Sequence, residues 1–286
     1  MPEKAPLRLR LRTWPQHLLP QHGLTRLANA ASNARWLARP LIGAFTRLYP
    51  VRLDECQAPE HGFATFDAFF TRPLRPGVRT WPRGDAIASP CDGTLSQAGR
   101  IESGRLVQAK GRHFTAAALL ADPGWAEALG DGHFATIYLA PGDYHRVHMP
   151  FDGRLVGEAR VPGRLFSVSE ATGRTVDRLY ARNERLVAWF ETEHGPAAVV
   201  MVAAMLVAGI ETAWDPGGAT RPGSTPRQQR FDPGVTLARG AELGRFHWGS
   251  TVVVLTSPGA PAWHDDLHPG RRMRLGEAMT GNPKPD

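Results

Sequence analysis

The chain is poor in several things, and each lack narrows what it does. Only two of its 286 residues are cysteine, Cys56 and Cys91. That is too few for a disulfide framework and makes a reducing compartment the default. Long apolar runs are missing: the longest, Ala197 to Ile210, has 14 residues, whereas a spanning helix needs about 20. The chain is therefore expected not to cross a membrane. No secretory leader is expected either, because Arg8, Arg10 and Arg12 interrupt the stretch where its apolar region would lie. Acidic side chains are almost absent from the first 50 residues, which hold eight Lys or Arg against Glu3 alone. The formal net charge of +7 belongs wholly to that segment. The body of the chain thus offers no basic footprint for nucleic acid, and the expected partner is an anionic surface met by the N-terminal segment.

What is abundant is backbone punctuation. Thirty Gly and 25 Pro favour many short strands over long helices. Residues 24–49 read as two short helices divided at Pro40, with Leu41, Ile42, Phe45, Leu48 and Tyr49 on one face of the second. Basic positions beside these stripes suit an interfacial helix pair on anionic lipid; helices packed on the domain with a solvated basic face fit the same pattern. Phe63, Phe66, Phe69 and Phe70 share a helical face between Phe63 and Arg75, with Thr65 as cap. Beyond residue 85, strands are expected at Thr94–Ile101, Leu106–Ala109, Phe134–Leu139, His145–Met149, Arg154–Val161, Leu186–Thr192, Ala197–Val207, Gly209–Trp214 and Thr251–Thr256. Residues 215–235 read as an exposed loop.

Three segments could carry chemistry. In Gly249-Ser250-Thr251 a hydroxyl lies next to its own preceding carbonyl. Attack there gives an ester, β-elimination breaks it, and loss of ammonia leaves a pyruvoyl group. Glycine before the serine leaves the carbonyl approachable, and Thr251 could donate to the developing oxyanion. The plain alternative is a turn entering a strand. In Asp143-Tyr144-His145-Arg146-Val147-His148-Met149-Pro150 the two rings would point to opposite faces of a strand, which disfavours a metal site and suits separate duties as base and proton donor. In Ser89-Pro90-Cys91-Asp92-Gly93 a turn could hold a carboxylate that orients a histidine; the plain reading is a hairpin. Cys91 reads as a small buried hydrophobe. Ser250 lacks the flanking glycines of a nucleophile elbow, so a serine lipase is the weakest rival.

Together with Phe66-Asp67-Ala68-Phe69-Phe70-Thr71-Arg72-Pro73-Leu74, Val161-Pro162-Gly163-Arg164-Leu165-Phe166-Ser167-Val168, Ala181-Arg182-Asn183-Glu184-Arg185 and Gly244-Arg245-Phe246-His247-Trp248-Gly249-Ser250-Thr251, these segments resemble the pyruvoyl-dependent phosphatidylserine decarboxylases. Six segments in family order cover most of the chain. The resemblance implies a self-cleavage triad of Asp92, His148 and Ser250, with His148 as base and Asp92 holding its ring. The cut would fall between Gly249 and Ser250, giving a β chain of 1–249 and an α chain of 250–286. It further implies a covalent pyruvoyl cofactor made from Ser250, no metal, and His145 as proton donor in decarboxylation. Phosphatidylserine would be converted to phosphatidylethanolamine through a Schiff base. Trp248, where the family usually has Leu or Gly, is a departure. The implied setting is peripheral, on the cytoplasmic side of the cell membrane, as a heterodimer of the α and β chains that pairs into a homodimer. The expected architecture is α+β: one β-rich domain (51–286) of packed, largely antiparallel sheets, preceded by a membrane-associating helical segment (1–50). Two rival functions share many of these features: an uncleaved, non-catalytic membrane-binding relative, and a pyruvoyl decarboxylase of a soluble amino acid.

Overall fold

The computed structural model describes residues 6–109, 111–205, 209–216, 225–247 and 249–281. Trp248 lies outside them. Three helices open the chain: α1 (Leu7–Thr13), α2 (Gln21–Asn33) and α3 (Ala38–Leu48). The break between the second and third comes earlier than expected, at a 3-10 turn over Arg35–Leu37. Pro40 is instead the third residue of α3, where its missing N–H is one that the first turn leaves unpaired anyway. Among the described residues no helix is long and apolar enough to cross a membrane.

The phenylalanine helix, α4 (Phe66–Phe70), is shorter than the sequence suggests. Its cap is as expected: Thr65 Oγ1 accepts a hydrogen bond from the Ala68 N–H at 3.0 Å. Phe66, Phe69 and Phe70 are buried against Phe45 of α3, with ring centroids 5.2, 5.9 and 6.0 Å away, all edge-on. Burying side chains of this size is worth roughly 1.5–3 kcal/mol each. This small cluster fastens the N-terminal helices to the body.

The body is built on antiparallel strands. They are β1 (Gly93–Arg100), β2 (Arg105–Ala109), β3 (Arg112–Thr115), β4 (His133–Leu139), β5 (Arg146–His148), β6 (Gly153–Val161) and β7 (Arg185–Thr192). The chain continues with β8 (Gly195–Ala203), β9 (Ile210–Thr212), β10 (Arg227–Leu237), β11 (Glu242–Phe246), β12 (Ser250–Thr256) and β13 (Arg272–Met273). Eight form one sheet in the order β10-β6-β7-β8-β12-β4-β1-β13; β5, β11 and β9 form a second, and β2 with β3 a hairpin. The architecture is α+β, as expected. All nine expected strands are present, the one expected over Ala197–Val207 ending at Ala203, with 206–207 outside the described residues. Of the loop expected over 215–235, residues 217–224 also lie outside them, and the rest is wrong in part. Residues from Arg227 onward form β10, a sheet-edge strand on β6. Its exposed polar side chains, and a register shift between Arg230 and Val235 around Pro233, are how an edge strand avoids further pairing.

Strand β12 is central and every residue of it is buried, which explains its unbroken apolar run. Short helices α5 (Ala116–Leu120) and α6 (Pro123–Ala128) pack on the sheet, Trp125 stacking on Trp189 of β7 at 6.0 Å. Two more, α7 (Glu170–Gly173) and α8 (Leu179–Arg182), lie in the β6–β7 connection. That connection is tied to the N-terminal helices by two buried glutamines. Gln16 Oε1 accepts from Ser167 N at 2.9 Å and Gln21 Oε1 from Leu165 N at 2.9 Å.

Candidate active site around Ser250

Ser250 opens β12, opposite Leu139 of β4 and Ala203 of β8. It is fully buried, and its Oγ has no hydrogen-bond partner. Leaving a buried hydroxyl unpaired costs about 1–3 kcal/mol, an expense that packing alone does not explain. Gly249 is not required by crowding: an added Cβ would meet nothing nearer than Leu139 O at 4.0 Å. Its value is that the carbonyl before Ser250 carries no shielding side chain. Thr251 is turned to the opposite sheet face by strand alternation, with its own Oγ1 buried and unpaired.

His145 precedes β5, and its carbonyl accepts from Phe246 N at 3.0 Å, four residues before Ser250. Its ring is fully buried, 4.1 Å from the Phe70 ring. His145 Nδ1 donates to the Asp143 carbonyl at 2.9 Å, which leaves Nε2 as a buried lone pair with no partner. Burial pushes the imidazole down to about 4, against the pull of that backbone bond. The ring is therefore neutral at pH 7. Arg72, just after α4, supports the turn before it by donating to the carbonyls of Gly142 and Asp143, both at 3.3 Å. Gly142 lets the chain pass the Pro50 carbonyl, where a Cβ would come within 2.5 Å. The arrival of α3 thus fixes the histidine turn.

His148 stands differently. Its Nδ1 donates to the Gly240 carbonyl at 2.8 Å, and its Nε2 faces the Tyr144 hydroxyl at 3.0 Å. With Nδ1 carrying the proton, Tyr144 donates to Nε2. Burial lowers the His148 pKa while the Gly240 bond opposes it. Asp92 does not hold this ring, contrary to the expectation from the sequence. Its Oδ1 accepts from Leu275 N at 2.7 Å and its Oδ2 pairs with Arg79 at 2.7 Å. The two residues are nonetheless neighbours, because His148 N donates to the Pro90 carbonyl at 2.8 Å. They line adjoining cavities that meet at Leu74 and Tyr144: about 260 Å³ beside Arg79, Trp81 and His148, and about 510 Å³ beside Arg72, Asp92 and Arg272. Ser250 lines neither. Cys91 is fully buried and burial raises its thiol well above the usual range, as a packing residue should behave.

Sequence reasoning missed Tyr144 as a partner of His148, although it lies inside the quoted motif. It also missed His247, two residues before Gly249, held between Asp67 at 2.8 Å and Glu211 at 3.1 Å. Burial lowers the His247 pKa, but the two carboxylates outweigh it and the net shift is upward.

A family model described as phosphatidylserine decarboxylase matches residues 66–281, which takes in Asp92, His145, His148 and Ser250. The chain belongs to the phosphatidylserine decarboxylase family. A second model, described as PSD, matches residues 11–50. Relatives in the family include proteins named phosphatidylserine decarboxylase proenzyme from Methylococcus capsulatus, 48% identical over 92% of this chain and 94% of the relative, and from Xanthomonas axonopodis pv. citri, 48% identical over 92% and 96%. One from Pseudomonas putida is 46% identical over 92% and 95%. The family makes the chain a decarboxylase by descent, and these relatives are named as proenzymes.

Proposed function

We propose that this chain is a self-cleaving phosphatidylserine decarboxylase whose Ser250 becomes a pyruvoyl group. The observation that carries the reading is the buried, unpartnered Ser250 Oγ at the head of a central strand, four residues after Phe246, whose N–H donates to the carbonyl of His145, a residue with an unpartnered Nε2 of its own. His145 Nε2 takes the Ser250 hydroxyl proton, and Oγ bonds to the Gly249 carbonyl carbon. The Gly249–Ser250 C–N bond breaks, and its nitrogen takes up the proton. Removal of the Ser250 Cα proton then expels the Gly249 carboxylate from Cβ, and hydrolysis of the remaining enamine releases ammonia. His148, with both nitrogens engaged, and Asp92, clamped to Arg79 and Leu275, hold the surrounding loops in place.

The residues fit the group: Ser250 is fully buried with an unpartnered hydroxyl, and its peptide carbonyl follows directly. Once formed, the pyruvoyl group would supply an electron sink for the carbon that loses CO₂. Around it, His145 is the neutral imidazole able to hold or deliver a proton, and Phe70 over its ring keeps water away.

The N-terminal helices bring the site to its lipid. Of the eleven large apolar side chains exposed among the described residues, ten lie between Leu7 and Leu53, Trp36 being the most open at 79%. Arg8, Arg10, Arg26, Arg35, Arg39 and Arg47 are exposed among them. An apolar face rimmed by arginines suits an anionic bilayer surface, which supports a peripheral enzyme on the cytoplasmic leaflet. The test is Ser250→Ala: one uncut, inactive chain is expected, and two fragments from that variant would refute the reading.

A further inference from the structure

Three strands line up at the head of β12. Ser250 stands opposite Ala203, and the Ala203 N–H donates to the Glu184 carbonyl at 2.9 Å. That bond extends the β7–β8 register one residue beyond Arg185 opposite Val202. Residues directly opposite on an antiparallel sheet point to the same face. Ser250, Ala203 and Glu184 therefore share one, spanning about 10 Å at strand spacing, with only the Ala203 methyl between the outer two. From that position a glutamate is long enough to reach over the methyl towards Ser250.

The backbone here is fixed firmly. Asn183 donates from Nδ2 to the carbonyls of Phe166 and Ala203, both at 2.8 Å, and Glu184 N donates to the Arg164 carbonyl at 2.8 Å. Gly163 is needed for that approach, since a Cβ would sit 2.7 Å from Glu184 N. The Glu184 side chain, by contrast, is buried with no hydrogen bond or ion pair to any described residue. The surrounding charges are turned elsewhere. Arg185 faces the other side and donates to the carbonyls of Ala118 and Leu119. Arg160, on the same face along β6, is held by Glu158 and Asp215. Arg182 lies over the Phe166 ring and Arg164 is exposed.

We propose that Glu184 is a catalytic residue of the decarboxylation site, its carboxylate taking a proton from the ammonium of the incoming serine headgroup. This rests on the function proposed above. One ammonium N–H bond breaks, its electron pair stays on nitrogen as the lone pair a nucleophile needs, and an O–H bond forms on Glu184. The proton is then stored beside the reacting carbon. An ordinary carboxylate is too weak a base for an amine that titrates several units higher. Burial raises Glu184 to about 7, close to the working pH a general base requires.

The experiment uses Glu184→Gln and Glu184→Asp in the full chain. Glu184→Gln should mature into two chains by mass, yet lose about 100-fold or more in kcat on phosphatidylserine vesicles, with KM little changed. Aspartate, which keeps the carboxyl but draws it back, should recover part of that loss. The readout independent of turnover is the carboxyl infrared band in uncut Ser250→Ala protein. A band titrating near pH 7 should be present there and absent from the Ser250→Ala, Glu184→Gln double variant. Titration at the usual carboxylate pH, or a Glu184→Gln enzyme with the parent's rate and pH profile, overturns the proposal. Failure of the parent to cleave or decarboxylate would instead refute the function on which it rests.

Discussion

Acidification should weaken this protein through its buried histidines, and most of all through His145. An imidazole held at about 4 in the folded chain titrates near 6.5 when unfolded. Because the folded value is depressed, stability is full above pH 6.5, falls as the unfolded state takes its proton, and levels off below pH 4. Between pH 7 and 4.5 the loss from this group is about 2.5 kcal/mol, or roughly 5–10 °C in Tm for a chain of this size. The assay is urea denaturation at the two pH values in the uncut Ser250→Ala background, with and without His145→Asn. Asparagine can keep the donation to the Asp143 carbonyl but has nothing to protonate. The His145-containing protein should lose about 2.5 kcal/mol more than the asparagine variant on acidification. Equal losses in the two would show that His145 is not a buried neutral base and would refute the assignment of its free Nε2.

Other perturbations separate the residues around the cut. His145→Ala should leave uncut chain accumulating on a denaturing gel. His148→Ala should still cut but unfold more easily by about 1–3 kcal/mol, since it strands the Tyr144 hydroxyl and the Gly240 carbonyl. Asp92→Ala leaves Arg79 nearly buried and short of one carboxylate, and should cost about 3–5 kcal/mol in urea. Because Leu275 N is the other partner of Asp92 and lies beyond the cut, the two fragments of that variant should also separate at lower denaturant. Trp36→Asp, combined with Arg35→Glu and Arg39→Glu, should weaken cosedimentation with anionic vesicles by about 1 kcal/mol per charge removed, leaving self-cleavage untouched.

Much of this was legible because the sequence states it locally. Alternation and turn residues mark the nine strands, and Thr65 before three phenylalanines marks α4. What was not legible depends on partners distant in the chain. Strand β10 is polar and carries Pro233, so its pairing with β6 leaves no apolar pattern to read. Gln16 and Gln21 look like surface residues until the β6–β7 connection supplies their donors. The histidines were found from their motif, but not the partners that each ring meets in the fold. A backbone carbonyl, Gly240 O, takes the place at His148 that a carboxylate was expected to fill, and a carbonyl has no signature in sequence. Glu184 was quoted for its motif alone; only the register Ser250–Ala203–Glu184 gives it a place in the chemistry.

The most direct test of the account is the intact mass of the purified protein under denaturing conditions. Two chains are predicted, residues 1–249 ending in a free carboxylate and residues 250–286 lighter than a serine-ended peptide by the elements of ammonia. A single uncut chain, or a second fragment still bearing serine at its start, would contradict it.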